Sequence, residues 1–508
     1  MASRRDQLNA YTFAKRRTLA AFLQSSTDGS EEGAPRPLRA VLPSVIVGVI
    51  VMAVFGAWGM LKPTAPTGWD TPNAKVIVAS DSTTRYVVLK TDGQVQLHPV
   101  LNMASAKLLL DAGEGDVVTV AESVLDNGDI PHGVTIGIPY APDRLPSASE
   151  ASTAKRWVVC ERPGAGGGDS VQKAALVLST RDMKVTDGKG RLTGGQLLYV
   201  ADPDGKRYVV DADGRAYAVD ASDELLLRAL VGSNRQPQRV SAEWLATLHQ
   251  GDAITFPAID GQPGAAAGAP GQLDDSANRV GMVLKAFDNN AEQYYVVLPG
   301  RVAPVSAFVA QLLLFSEELA ELDQAGQARE VSPGAIVPGK EFGTEHRWPT
   351  GDPTPVNDAS TASGSRSTVC NVLRGVNADT GATTLSTWVG TDFPEKLPAG
   401  SSSAYVTPGS GQLYRQFQGK ATKDGPVFLV TDTGLRYVLQ SNADSATDDA
   451  GIGTTAKERE QLQQEAQQAQ TRLGYKGVDA APIPTAWSEF LPTGPRLSTA
   501  AARQPQGS

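Results

Sequence analysis

Two cysteines and four histidines are all that this 508-residue chain offers a soft or borderline metal ion. No Cys-x-x-Cys occurs, and His98, His132, His249 and His346 stand far apart, so the ligand spacing of a zinc site is missing and no metal is expected. No Gly-x-Ser-x-Gly elbow and no His-Glu-x-x-His is present, which removes the commonest hydrolase signatures. No catalytic set and no cofactor is expected. Positive charge is in deficit: 46 Lys and Arg face 55 Asp and Glu, a net −9, which argues against nucleic acid as a partner. Long apolar runs are scarce too, and the chain has one.

That run is Val41 to Leu61, VLPSVIVGVIVMAVFGAWGML, with no Asp, Glu, Lys, Arg or His. At helical rise it covers roughly 30 Å, the thickness of a bilayer's hydrocarbon core. Pro43 is expected in the first turn, where its missing N–H costs little, and Trp58 at the far interface. A signal peptide is the alternative, opposed by the 40-residue flank before the run and the lack of a small-x-small cleavage site. Seven basic residues (Arg4, Arg5, Lys15, Arg16, Arg17, Arg36, Arg39) precede the run against four acidic ones, a net +3, so the remainder carries −12. The positive-inside rule then puts residues 1–40 in the cytosol and everything after Leu61 outside. Residues 4–23 read as a basic amphipathic helix, with Leu8, Tyr11, Leu19, Phe22 and Leu23 on one face, suited to the inner leaflet or to a partner. Residues 62–74 are a linker.

Beyond the linker a pattern recurs. An aromatic-apolar strand turns at a glycine and returns: Tyr86 to Gly93, Tyr208 to Gly214, Tyr295 to Gly300, Phe428 to Gly434. In three copies a helix with a leucine triplet is expected next, at Leu108–Leu110, Leu225–Leu227 and Leu312–Leu314. The fourth has an insert rich in Asp, Gly and Thr, then a helix-like stretch at 457–473. The turn glycines lie 121, 86 and 134 residues apart, too uneven for a solenoid. The two wide gaps resemble each other, each with a cysteine on a strand, another strand, and a third strand ending in Tyr-Val. They read as halves of one central β domain. In an oxidising compartment Cys160 and Cys370 read as a disulfide stapling those halves; two free buried thiols are the alternative.

The fold class is therefore α+β: one N-terminal transmembrane helix, then four hairpin-plus-helix repeat domains around a discontinuous central β domain, in a pseudo-twofold plan. The expected divisions are a cytosolic arm 1–40, span 41–61, linker 62–74, first repeat 75–144, first central half 145–205, second repeat 206–272, third repeat 273–348, second central half 349–424, fourth repeat 425–495 and a disordered tail 496–508.

Three stretches invite a chemical reading. Gly334, Gly339 and Lys340 match GxxxxGK, but Glu341 stands where Ser or Thr would hold magnesium, and Pro338 removes an amide; a surface turn is the plainer reading. His98 lies five positions past its turn glycine, where the other copies carry Val219, Val305 and Leu439, so it is expected to fill a packed position. Asp202/Asp204 and Asp211/Asp213 resemble pieces of calcium loops without the spaced glutamate and read as turn residues.

The stretches RRDQLNAYTFAKRR (4–17), YVVLKTDGQVQLHPVLNMASAKLLL (86–110) and WSEFLPTGPRLSTAAA (487–502), with the single span and the two cysteines, resemble the EccB family of the type VII (ESX) secretion system of actinobacteria. The resemblance implies a periplasmic body of four repeats around a disulfide-closed centre. It implies partnership with EccC, the motor, and with EccD and EccE in the plasma membrane, together with self-association. Family members are often labelled ATPases, for which this chain offers only the Lys340 stretch. Their repeats are similar to a phage lysin wall-binding module. The leading expectation is a structural component that anchors and assembles the channel; the alternatives are a peptidoglycan-binding module and an ATP-hydrolysing accessory.

Overall fold

The computed structural model describes residues 3–23, 38–61, 65–91, 93–164, 170–288, 291–360, 362, 364–398, 403–439 and 468–506. They divide into two compact units, Met1–Thr67 and Gly68–Ser508.

The first unit contains two helices, Arg4–Leu23 and Leu38–Leu61. Within the second, Val41–Gly59 has a mean hydropathy of 2.3 and none of it is buried in the protein. Val45, Ile50, Phe55 and Trp58 are all exposed, as a lipid-facing helix requires. The helix begins at Leu38, so Pro43 stands in its second turn and not the first as the apolar run implied. On the arm helix Leu8, Tyr11, Phe13, Leu19 and Phe22 are all exposed. At about 100° per residue Lys15 falls inside the stripe of Leu8, Tyr11, Leu19 and Phe22, and Phe13 falls opposite it, so the amphipathic face is interrupted.

The second unit is a mixed α+β body of five small sheets. The first sheet has β1 (Lys75–Ala79), β2 (Arg85–Thr91) and β3 (Gln94–Val100), all antiparallel, then the helix Met103–Leu109, then β4 (Asp116–Val120) parallel to β1. A hairpin of β5 (Arg156–Pro163) and β6 (Val171–Leu178) follows. The next sheet repeats the first plan: β7 (Gln196–Ala201), β8 (Arg207–Val210), β9 (Arg215–Val219), the helix Glu224–Val231, and β10 (Gln238–Arg239) parallel to β7. Here β11 (His249–Gln250) adds to β9. The plan recurs in β12 (Val283–Asp288), β13 (Ala291–Leu298), β14 (Arg301–Val305), the helix Ala307–Phe315 and β15 (Arg329–Glu330). After β16 (Thr354–Pro355), which pairs with β7, come β17 (Thr368–Val376), β18 (Thr383–Gly390) and β19 (Ala404–Val406). The last sheet holds β20 (Gly411–Phe417), β21 (Val427–Thr431), β22 (Arg436–Leu439) and β23 (Ala481–Pro484), with β23 parallel to β20.

Local chemistry explains the shared plan. Gly93, Gly214, Gly300 and Gly434 all take positive φ, between 72° and 85°, at the turn from second to third strand, a conformation that costs glycine nothing. Asn102, Asp223 and Ser306 each accept an amide of the first helical turn, a cap worth about 1 kcal/mol. His98 is buried, as expected, but the register places it level with Tyr217, Ala303 and Tyr437, each opposite the residue after its strand's aromatic; Val219, Val305 and Leu439 stand level with Val100 instead, because counting from the turn glycine ignores the different hairpin lengths. In the fourth sheet, most of the stretch expected as a helix at 457–473 lies outside the described residues; 468–472 is helical.

The cysteine-bearing sheet has the order β18-β17-β5-β6-β19. Cys160 and Cys370 stand directly opposite each other on β5 and β17, both fully buried, and are joined by a disulfide. The Cα atoms are 4.0 Å apart across a sequence separation of 210.

Three placements differ from the sequence reading. Gln196–Ala201, expected in the first central half (145–205), pairs with β8. Gly411–Phe417, expected in the second (349–424), pairs with β21. Each is the first strand of its sheet and leads straight into the hairpin that follows it. Residues 496–506, expected as a disordered tail, are packed on the body: Leu497 and Ala502 are fully buried, and Pro505 and Gln506 pair with Ile136 and Thr135 beside the first sheet.

Three hydrophobic cores tie the sheets together. The first and last sheets share one, where Val87 and Leu108 meet Leu429 and Tyr437. The second and third sheets share another, joining Tyr217 and Leu226 to Val296 and Phe308. A third joins the cysteine sheet, through Trp157 and Val159, to Trp244 on one side and Tyr414 and Trp487 on the other.

A link closing 210 positions restricts the unfolded chain by about 5 kcal/mol in the chain-entropy description. Cys160→Ser, or reduction, is expected to lower the thermal midpoint of the body by several degrees, read by tryptophan fluorescence. An unchanged midpoint would show that the staple carries no stability.

Candidate functional site: the polar seam around the cystine

The residues flanking the two cysteines reach out of their own sheet. Glu161, next to Cys160, is fully buried and accepts two bonds from Ser241, the backbone N–H at 2.7 Å and the hydroxyl at 2.5 Å. Ser241 also caps the short helix Ala242–Leu245 by accepting the Trp244 N–H. The Trp244 indole N–H donates to the Val159 carbonyl at 3.3 Å. From the other side of the cystine, Asn371 Nδ2 donates to the Trp244 carbonyl and, at 2.6 Å, to Thr247 Oγ1. The turn 241–247 is thus clasped by both strands that carry the disulfide. A carboxylate this deep is costly unless well bonded. Burial pushes the Glu161 carboxyl above its ordinary range, against the opposing effect of the Ser241 bonds.

Two further contacts complete the seam. Trp157 Nε1 donates to Gln412 Oε1 at 2.8 Å, and its ring meets Tyr414 edge-on at 5.0 Å, joining β5 to β20. Asp187 sits between Arg156 at 3.1 Å and Arg374 at 2.5 Å. Burial raises its carboxyl, but the two guanidiniums outweigh that and hold it below the usual range. Apart from Asn371 Oδ1, which has no partner among the described residues, these groups are held by the bonds just given.

The stretches singled out in the sequence do not converge. Around Gly334, Gly339 and Lys340 three backbone amides are committed: Ala335 N–H to Ser332, Ile336 N–H to Pro333, Gly339 N–H to the Val302 carbonyl at 2.7 Å. Pro338 bridges Val302 in parallel, and the Lys340 carbonyl accepts from Arg301. The segment edges β14 rather than cradling an anion. His98 Nδ1 lies 3.0 Å from the Val134 carbonyl, its ring packed under Gly133, while Nε2 has no partner among the described residues. Asp202 and Asp211 spend their carboxylates on the N–H groups of Lys206 and of Asp213 and Arg215. Among the described residues no group of three His, Cys, Asp or Glu is placed to hold a metal. A cleft of about 420 Å³ beside the third sheet is lined by Lys285, Tyr294, Gln311, Glu330 and Asp352. Burial and then Glu292 raise the Asp352 carboxyl, and burial and Glu292 push Tyr294 up to about 12. Such a lining repels phosphate.

The sequence matches, over residues 1–507, the family described as type VII secretion system ESX-1, transport TM domain B, or EccB. The chain belongs to the EccB family. As a member it is a membrane component of the type VII secretion system. It is 26% identical to the "ESX-3 secretion system ATPase EccB3" of Mycolicibacterium smegmatis over 97% of this chain and 89% of that protein. With the protein of the same name from Mycobacterium tuberculosis H37Rv it shares 25% identity over 98% and 88%. Its fold is similar to a chain of an intact ESX-5 inner membrane complex, with a TM-score of 0.53 and 20% identity over 100% of this chain and 96% of that one. It is also similar to the EccB3 dimer from the ESX-3 core complex, with a TM-score of 0.52 and 24% identity over 84% and 99%. The family resemblance read from the sequence is borne out.

The sequence reading of this EccB-family chain missed Glu161 and Ser241. The signal was present: a lone acid in the apolar strand WVVCERP, and a serine three residues before a tryptophan at a helix start.

Because folding raises the Glu161 pKa, the folded state holds that proton longer than the unfolded chain, so this group favours folding below the ordinary carboxylate range and the benefit is lost as pH rises through the folded value. Glu161→Gln keeps the shape and is expected to melt at least as high as the parent at pH 7.5, with a gain over the parent that shrinks at pH 4. Ser241→Ala, which strips a bond from a buried acid, is expected to cost roughly 1–3 kcal/mol. Melting curves at the two pH values check both; a gain independent of pH would contradict the assignment.

Proposed function

We propose that this EccB-family chain is the anchor and extracytoplasmic scaffold of a type VII secretion membrane complex, with residues 1–40 in the cytosol and the body outside. The observation that carries the reading is the combination of one apolar helix, Val41–Gly59, behind a basic flank, with a buried cystine in the body beyond it. The positive-inside rule and the oxidising compartment a disulfide requires point the same way.

Within the body, four sheets of the same strand order are taken as copies of one unit around the cystine sheet. Their positive-φ turn glycines, their parallel fourth strands and the caps at Asn102, Asp223 and Ser306 support this. The hairpins β5–β6 and β17–β18 face each other across the Cys160–Cys370 pair, the shape of a pseudo-twofold, with β19 as the departure from it. The partners proposed are EccC, EccD and EccE, together with further copies of the chain. Solved relatives described as parts of an inner membrane complex and as an EccB3 dimer favour that choice.

Relatives carry the name ATPase. For this chain the reading is scaffold without ATP hydrolysis, because three amides of the Lys340 segment, those of Ala335, Ile336 and Gly339, are already bonded and among the described residues the segment does not lead into a helix. Nothing in the body's chemistry singles out peptidoglycan.

The full-length chain, tagged and solubilised from native membranes, is expected to bring the other core components with it; purification of the chain alone would overturn the reading. Lys340→Ala is expected to leave both the complex and protein export at parental levels. Export lost tenfold from an intact complex would instead restore the nucleotide reading.

A further inference from the structure

We infer that the outer edge of β4 is a docking strand for an extended, basic segment of a partner protein, bound by strand addition.

Strand β4 closes the first sheet, pairing with β1 over five residues, Lys75↔Asp116 to Ala79↔Val120. The Ser80 N–H donates to the Val120 carbonyl at 2.9 Å, which fixes the phase of the ladder. Successive residues of a strand address opposite neighbours, so Asp116, Val118 and Val120 face β1, while the N–H and C=O groups of Val117 and Thr119 point away from it. Among the described residues nothing meets them. Val117 is also 53% exposed.

The equivalent edges of the other three sheets are blunted in ways that discourage pairing. β10 and β15 are two residues long. β23 contains Pro482 and Pro484. β4, Asp-Val-Val-Thr-Val, is full length with no proline and no lysine. One edge of four is left able to accept a strand.

Charge selects the occupant. From 111 to 126 the chain carries Asp111, Glu114, Asp116, Glu122 and Asp126 and no lysine or arginine. A second copy is a poor fit. Twofold antiparallel pairing about Val118 would bring the acidic flank of each copy, Asp111 to Asp116, towards the acidic segment Glu122 to Asp126 that follows β4 in the other, a repulsion repeated at both ends. A strand of β-branched residues with Lys or Arg at its ends would satisfy the outward groups of Val117 and Thr119 and meet Glu114 and Asp116 with opposite charge.

Both native cysteines are bonded and no thiol is free, so Thr119→Cys in the full-length chain in native membranes supplies a single reporter. Maleimide labelling is expected to be slowed at least fivefold relative to the same variant after detergent dissociation. A short crosslinker should yield an adduct with a different protein. Adding Val117→Pro, which removes an outward N–H and leaves the β1 pairing intact, should abolish both effects; adding Glu114→Lys with Asp116→Lys, both exposed, should cut the adduct at least fivefold. Labelling at the rate of an open surface thiol would overturn the inference. So would an adduct of twice the chain's mass, or an adduct that survives both the proline and the charge reversal.

Discussion

The body depends on one antiparallel pairing, β5 against β17, made by strands whose cysteines are 210 positions apart. Every contact across that pair is non-local, so its loop must close before the contacts repay the lost entropy. The disulfide makes the closure permanent in an oxidising compartment. The polar seam then depends on the same pair, because Val159, Glu161 and Asn371 can grip the 241–247 turn together only when their strands lie side by side. A buried carboxylate, two tryptophan N–H groups and the amide N–H of a buried asparagine would each be destabilising alone; around the cystine they find Ser241, Gln412, the Val159 carbonyl and Thr247, and only Asn371 Oδ1 among them is left without a partner among the described residues.

The cores follow from this arrangement. Sheets of four short strands are too small to stand alone. Each therefore shares its hydrophobic face with a neighbour: first with last, second with third. The cysteine sheet then joins these pairs through Trp157 and Trp244. Sharing makes the body one cooperative unit although its sheets are modular in outline. It also explains why the last residues pack on the body: Leu497 and Ala502 complete a core that the first sheet leaves open.

What the sequence disclosed was whatever local chemistry enforces. Apolar content marked the membrane helix, Asp-Gly and Pro-Gly the hairpins, leucine triplets the crossover helices, and two cysteines the staple. What stayed hidden was whatever depends on distant partners. The first strands, such as Gln196–Ala201, abut the gaps between copies and look no different from central strands until their neighbours are known. The closing strands β10 and β15 are two residues long, below any periodic signal. Glu161 was passed over because its partner is 80 residues away. The GxxxxGK match reads as a surface turn from Glu341 and Pro338, and the structure adds a reason: a phosphate loop is made by free amides ahead of a helix, and here those of Ala335, Ile336 and Gly339 bond to Ser332, Pro333 and Val302.

The connectivity carries a mechanical consequence. β1 opens the body's first sheet, and Gln506 returns to the same sheet, where it bonds Thr135 and Gly137. That sheet is therefore held from both ends of the body and by a core shared with the last sheet. The last sheet in turn meets the cystine sheet through Tyr414 and Trp157. Such bracing suits a structural membrane component of the secretion system, the role that membership of the EccB family gives this chain: paired cores, a returning C-terminal segment and the cystine all resist a change of shape in the body.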